Sequence, residues 1–315
     1  MTFTRRSRRL LLGVLLYIVF SAVAGVFVAD GALHPAKRSL TDEDVTAARN
    51  AFLKSRARLT ETSIAATDGA ILRGWIVKPE QESGAAVILL HGLGDNRLGM
   101  VGYAELLLAH GYTVLLPDAR AHGLSGGDVA TYGLLERIDI YRWVDFLTDQ
   151  THAPCIFGLG ESMGAAQLLQ SLDTDPKLCA VVAESPFATF REIAYDRMGQ
   201  PFHTGPWLGH TFFRPLVEFA LVRARWKYGL DMRNISPENS VAHSKVPVLL
   251  IHGTVDGNIP IRHSRMIHAH DPRTILWEVP NADHCGALSV APGEFEHIVL
   301  RWFARTAPQL AQSQK

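Results

Sequence analysis

Gly160-Glu161-Ser162-Met163-Gly164 is the stretch on which the reading of this chain turns. It fits G-x-S-x-G and follows Cys155-Ile156-Phe157-Gly158-Leu159, an apolar run of strand length. Ala165-Ala166-Gln167-Leu168-Leu169 comes next and reads as the start of a helix. A strand that turns straight into a helix around one serine forces that serine into a strained backbone conformation. The flanking residues must then be small, and Gly160 and Gly164 meet the need. The turn would place Ser162 at the carboxyl end of a sheet, hydroxyl outward, with a helix N-terminus beneath it. Five-residue patterns of this kind also arise by chance, and the strand-before, helix-after setting argues against chance here.

Outward from the elbow, strands and helices alternate. Ala85 to Leu90 is a continuous apolar run, suited to a strand covered on both faces. After it come the loop His91-Gly92-Leu93-Gly94-Asp95-Asn96 and a helix to His110. A strand over Thr113 to Leu116, a glycine-rich loop over Asp118 to Gly133 and a helix over Leu134 to Thr148 lead back to the elbow. Beyond it lie strands at Cys179 to Ala183, Val248 to His252 and Thr274 to Val279. A helix starts near Ile261, and an amphipathic helix covers Glu294 to Arg305. This alternation predicts an α/β fold with a mainly parallel sheet and helices on both faces. Asp68-Gly69, between Thr62 to Ala66 and Ile71 to Val77, predicts a hairpin ahead of it. Phe187 to Ala242 breaks the pattern, is too long for a simple crossover and carries many aromatics. It reads as an inserted helical cap whose rings form mainly its own core.

A serine hydroxyl alone is a poor nucleophile and needs a base and an orienting acid. His252-Gly253-Thr254-Val255-Asp256 follows a core strand, which puts Asp256 on the same sheet edge as Ser162. Asn281-Ala282-Asp283-His284-Cys285-Gly286 follows the last strand and contains one histidine, His284. The order Ser162, Asp256, His284 is the serine, acid, histidine order of this architecture. The chain has 14 histidines, and position after the last strand is what singles out His284. Asp283 adjoins it, but neighbours in a loop seldom face each other, so Asp256 is the expected acid, with Glu184 behind it. Glu161 lies on the wrong side of the elbow for that task. Backbone amides of Leu93 and Met163 are the expected oxyanion donors, their apolar side chains keeping the site dry. His91 is expected to brace its loop.

Arg5, Arg6, Arg8 and Arg9 precede an uncharged apolar run from Leu10 to Ala29, about 30 Å long as a helix and so of bilayer-spanning length. The expectation is a single membrane span, arginines cytoplasmic and body exported. The alternative is a cleaved signal peptide with Ala22-Val23-Ala24 as the processing site, giving a secreted or periplasmic protein. Residues 31–59 read as a connector, with Thr41 capping a helix that continues from Ala47 to Leu59. The organisation expected is thus an anchor over 1–30, the connector, a body over 60–306 with the cap at about 187–242, and a tail over 307–315. Without the four N-terminal arginines 27 basic residues face 31 acidic ones, so the body offers nothing to attract nucleic acid. No H-E-x-x-H, paired C-x-x-C or nucleotide-binding glycine loop occurs, and neither metal nor cofactor is expected. Cys155 and Cys179 open two strands that this fold sets side by side; they are either buried free thiols or, in an exported body, a disulfide, with Cys285 left over.

His91-Gly92, Pro117 to Ser125, Gly160 to Gly164, His252-Gly253 with Asp256, and His284 together resemble the alpha/beta hydrolase superfamily over about residues 60–306. The arrangement is most similar to its monoacylglycerol-lipase-like and protein-deacylase-like members, several of them membrane-anchored. The resemblance implies an eight-stranded sheet, a Ser-Asp-His triad and hydrolysis of carboxylic esters or thioesters, with a small or lipid-like acyl ester as substrate. Ala121 departs from the glycine that relatives commonly carry there. Asp118, Arg120 and His122 are expected to be scaffold. A peptidase of the same fold would use the same triad but typically brings a large extra domain. A non-catalytic binding protein would be expected to have lost a triad member.

Overall fold

The apolar runs assemble into one eight-stranded sheet in the computed structural model, which describes residues 4–174 and 177–307. The chain opens with α1 (Arg5–Leu33) and α2 (Asp42–Lys54), then the hairpin β1 (Arg58–Ala65) and β2 (Ile71–Lys78). Next come β3 (Ala86–Leu90), α3 (Val101–Ala109), β4 (Thr113–Pro117), α4 (Glu136–Thr151), β5 (Ile156–Glu161), α5 (Ser162–Ser171) and β6 (Leu178–Glu184). A helical stretch of α6 (Phe190–Gly199), α7 (Trp207–His210) and α8 (Arg214–Tyr228) interrupts the alternation. It resumes with α9 (Pro237–His243), β7 (Val248–Gly253), α10 (Arg262–His270) and β8 (Ile275–Val279), and ends in α11 (Ala287–Val290) and α12 (Pro292–Thr306).

The strand order is β1-β2-β4-β3-β5-β6-β7-β8; β2 pairs antiparallel with both β1 and β4, and the remaining pairs are parallel. Gly69, at φ +85°, makes the turn between β1 and β2. β3 and β4 are buried at every residue because helices cover both faces. On one face Val87, Leu89, Phe157 and Val182 meet Phe52 of α2, Leu107 of α3 and Phe303 of α12. On the other, Ile88, Leu90, Ile156 and Leu250 meet Trp143 of α4, Leu168 of α5 and Ile267 of α10. Each such side chain contributes roughly 1.5–3 kcal/mol on leaving water, so the two cores fix the sheet's register.

Two expectations change, and one left open is decided. The connector helix stops at Lys54, capped by the Thr41/Asp44 box at its start, and residues 58 and 59 belong to β1, where Leu59 joins the core. α9, expected inside the cap, instead covers the sheet through Val241, which packs with α5 residues. Cys155 and Cys179 form a disulfide, with Cα atoms 5.7 Å apart, and Cys285 is free. Of the expected tail only residue 307, whose Ala side chain is buried, is described; 308–315 lie outside the described residues.

The chain divides into two compact units. One holds the described residues of Pro35–Ala188 and those from Ile235 to residue 307, and so the whole sheet. The other combines Thr189–Asn234 with the chain up to His34. Within this second unit α1 packs along α8, burying Ser21, Gly25, Ala29 and Leu33, which recur every fourth residue and so share one face of the helix. By length and composition α1 can cross a bilayer.

Candidate active site

β5 delivers the chain to Ser162 at the first residue of α5, with φ +51°, a left-handed conformation that costs a residue bearing a side chain of order 1 kcal/mol or more. Close packing holds it there. A Cβ on Gly164 would lie 2.3 Å from the Leu90 carbonyl oxygen, and one on Gly160 would lie 2.7 Å from Gly164 backbone. Gly164 is therefore required by the close approach of the end of β3, and Gly160 by the tightness of the elbow's own turn. The elbow also leaves the Met163 amide among the first of α5, which have no intrahelical acceptor.

His284, in the loop after β8, brings Nε2 to 2.9 Å from Ser162 Oγ. Its Nδ1 lies 2.8 Å from Oδ2 of Asp256, in the loop after β7. The carboxylate accepts from Nδ1–H, which leaves Nε2 with a lone pair directed at the serine hydroxyl. Asp256 is buried, and burial alone would raise its pKa; hydrogen bonds from His252 and His284 and the Ile259 amide outweigh it and hold the carboxyl well below its usual range. Its Oδ1 accepts the amides of Asn258 and Ile259 at 2.9 and 2.8 Å.

His252 is a residue that the sequence reading quoted and gave no role. Its Nε2 donates to the Ile259 carbonyl at 2.8 Å and stands 3.3 Å from Asp256 Oδ2, while Nδ1 accepts from Ser264 Oγ at 2.7 Å. The ring thus supports the acid from behind. A histidine ending an apolar strand four residues before a loop aspartate is the signal that was available for it.

The other carboxylates near His284 are otherwise engaged. Asp283 Oδ1 accepts the amides of His284 at 2.8 Å and Gly257 at 3.1 Å, tying two loops together. Glu184 accepts from Tyr103 Oη and the Ala287 amide, both at 2.9 Å, and burial pushes its pKa up. Glu161 Oε1 accepts the Gly92 amide at 3.3 Å. Burial first, then the nearby Glu184, push its pKa up to about 7.

Gly92 and Leu93 follow β3. A Cβ on Gly92 would lie 3.5 Å from Ser162 Cβ, so this loop runs beside the serine. Leu93 is 42% exposed, whereas Met163 is buried. His91 uses both ring nitrogens on backbone, Nδ1 donating to the Gly92 carbonyl at 2.8 Å and Nε2 accepting the Ala119 amide at 3.0 Å. Burial lowers its pKa to about 4, so the ring is neutral. Asp118 forms a buried pair with Arg97 and accepts the Leu124 amide, and Arg120 pairs with Asp139 and Asp68. Ala121, next to Arg120, has φ +58°, the conformation that glycine adopts without strain. Among the described residues no three His, Cys, Asp or Glu side chains gather in a way that could hold a metal ion.

A model of the alpha/beta hydrolase family matches residues 87–297. The chain is 29% identical to the Bacillus subtilis protein YqkD over 255 residues, 78% of this chain and 81% of that one. Escherichia coli K12 YfhR is 27% identical over 242 residues, 73% of this chain and 74% of its own. Among solved structures, the Pyrococcus furiosus esterase Pf2001 superposes with a TM-score of 0.68 at 26% identity, covering 88% of this chain and 98% of that one. Pyrococcus horikoshii acylaminoacyl peptidase, 17% identical, shares the fold with a TM-score of 0.60 over 82% of this chain and 43% of its own. With strand order, elbow and family match in agreement, this chain belongs to the alpha/beta hydrolase family.

Proposed function

We propose that the protein is a serine hydrolase that cleaves carboxylic esters or thioesters through an acyl-enzyme, with Ser162 as nucleophile, His284 as base and Asp256 as orienting acid. The observation that carries this reading is the continuous hydrogen-bonded chain from Ser162 Oγ through both ring nitrogens of His284 to Asp256. The likeness to an esterase at 26% identity supports the choice of substrate bond. His284 takes the hydroxyl proton as Oγ attacks the acyl carbonyl, and the resulting imidazolium is stabilised by Asp256. Amides of Leu93 and Met163 receive the oxyanion, the tetrahedral species collapses as the leaving group takes the proton, and water activated by His284 then releases the acid.

In this reading α1 is a retained membrane anchor, with the catalytic unit on the extracytoplasmic side. The arginine cluster before the apolar run supports that orientation, and the Cys155–Cys179 disulfide fits an oxidising compartment. The acyl substrate is a small or lipid-like ester. A panel of p-nitrophenyl esters of rising chain length tests the assignment. Turnover by the wild type that falls at least about 10⁵-fold in Ser162→Ala is expected; undiminished turnover in that variant overturns it.

A further inference from the structure

We propose that residues 36–39, an exposed strap in the connector ahead of α2, hold the loop that carries the Leu93 amide, with Arg38 as a positioning residue for the oxyanion donor. This deepens the hydrolase reading and rests on it, since it takes Leu93 as an oxyanion donor beside Ser162.

The loop after β3 is held from two sides. On the Ser162 side, the Gly92 amide donates to Glu161 Oε1 at 3.3 Å, and the Gly92 carbonyl accepts from His91 Nδ1 at 2.8 Å. A Cβ on Gly92 would lie 3.9 Å from Ser162 Oγ, so this end of the loop borders the reacting atoms. The Gly92 carbonyl and the Leu93 amide belong to one planar peptide unit, and holding the first sets the direction of the second.

The strap holds the other side of Leu93. Its Arg38 amide donates to the Gly94 carbonyl at 2.8 Å, and the Arg38 guanidinium donates to Asp95 Oδ1 at 3.1 Å. Asn96 Nδ2 donates to the Arg38 carbonyl at 3.2 Å, while Asn96 Oδ1 accepts the Leu98 amide at 2.9 Å. Gly94, Asp95 and Asn96 are thus each bonded to Arg38. The approach leaves no room for a side chain between strap and loop. Gly94 has φ +76°, and a Cβ there would lie 2.9 Å from the Ala36 carbonyl oxygen. Asn96 is fully buried, although residues 36–39 are themselves exposed. The strap is fixed in turn by Leu40, which packs against the core that includes Phe52 of α2.

Magnitudes decide where this hold should be felt. Misplacing a catalytic group by about 1 Å can cost roughly 10²-fold in rate, and deleting an oxyanion donor about 10²–10³-fold. The Arg38–Asp95 pair, with side chains 51% and 28% exposed, adds little to stability. Its loss should therefore appear in kcat and leave the melting temperature alone. Processing after Ala24 would keep the strap in the mature chain, so the inference holds for an anchored or a released protein.

Steady-state hydrolysis of a short p-nitrophenyl ester by variants of the full chain tests the proposal. Arg38→Glu, which makes the contact with Asp95 repulsive, should lower kcat about 10-fold or more, with KM within about twofold and the thermal midpoint unchanged. Arg38→Lys keeps the charge and should stay within about threefold of wild type. A wild-type kcat in Arg38→Glu overturns the proposal. So does a rise in KM alone, which would make the strap a substrate contact, and so does a loss that follows a lowered midpoint or is shared by Arg38→Lys. In each of these results the wild type still turns over and the hydrolase reading stands; a wild type without turnover overturns both.

Discussion

The arrangement at Ser162 makes different demands on each residue around it. In the proposed triad Asp256 sets the His284 tautomer, so Asp256→Asn, which leaves the shape intact, should lower kcat by about 10³–10⁴-fold at neutral pH with little change in KM. Steady-state kinetics on a short ester check this. Gly164→Ala puts a methyl group against the Leu90 and His91 carbonyls and should destabilise by about 3 kcal/mol, seen as a lower denaturation midpoint in urea. Glu161 gives a pH signature. Its folded pKa of about 7 exceeds that of an unfolded glutamate, so the folded protein holds the proton more tightly between pH 4.5 and 7. Stability tied to this group is complete below that window and is lost as pH rises through 7, by an amount of order 2–3 kcal/mol. Thermal melts across this range should fall more steeply for the wild type than for Glu161→Gln, and equal slopes would contradict the assignment.

At the scale of elements, much was legible because the signals are local. β3 and β4 are all apolar because both faces are covered, and the G-x-S-x-G spacing reports a backbone constraint that Gly160 and Gly164 satisfy through contacts with their immediate surroundings. The preference for Asp256 over Asp283 rests on position as well, since Asp256 follows a different strand from His284 whereas Asp283 adjoins it in one loop. Other features depend on who faces whom in space. His252 behind Asp256 and the disulfide between β5 and β6 are of this kind, as is the pairing of α1 with α8, where residues about 195 apart meet. α9 was assigned to the cap because the sequence between Phe187 and Ala242 shows no break, whereas Val241 is claimed by the sheet core. Two predictions belong here. Replacing Cys155 and Cys179 by alanine opens a loop of 24 residues' separation and should cost about 3 kcal/mol, matched by the wild type under reductant. Gly25→Leu should force α1 off α8 and make residues 189–234 more open to limited proteolysis, with the rest of the chain unchanged.

For the whole molecule, the proposal is an exported catalytic unit held to a membrane by an uncleaved helix. Carbonate-washed membranes should retain the protein with residues 25–34 still preceded by the apolar run; a soluble form beginning after Ala24 would mean signal cleavage instead. The central claim is that three side chains from distant loops, Ser162, Asp256 and His284, converge to make one alcohol reactive. Peptide mass spectrometry after treatment with a fluorophosphonate tests it most directly. The account predicts one covalent adduct, on Ser162, which forms far more slowly in His284→Ala; an adduct on another residue, or labelling of Ser162 at an unchanged rate without His284, would contradict it.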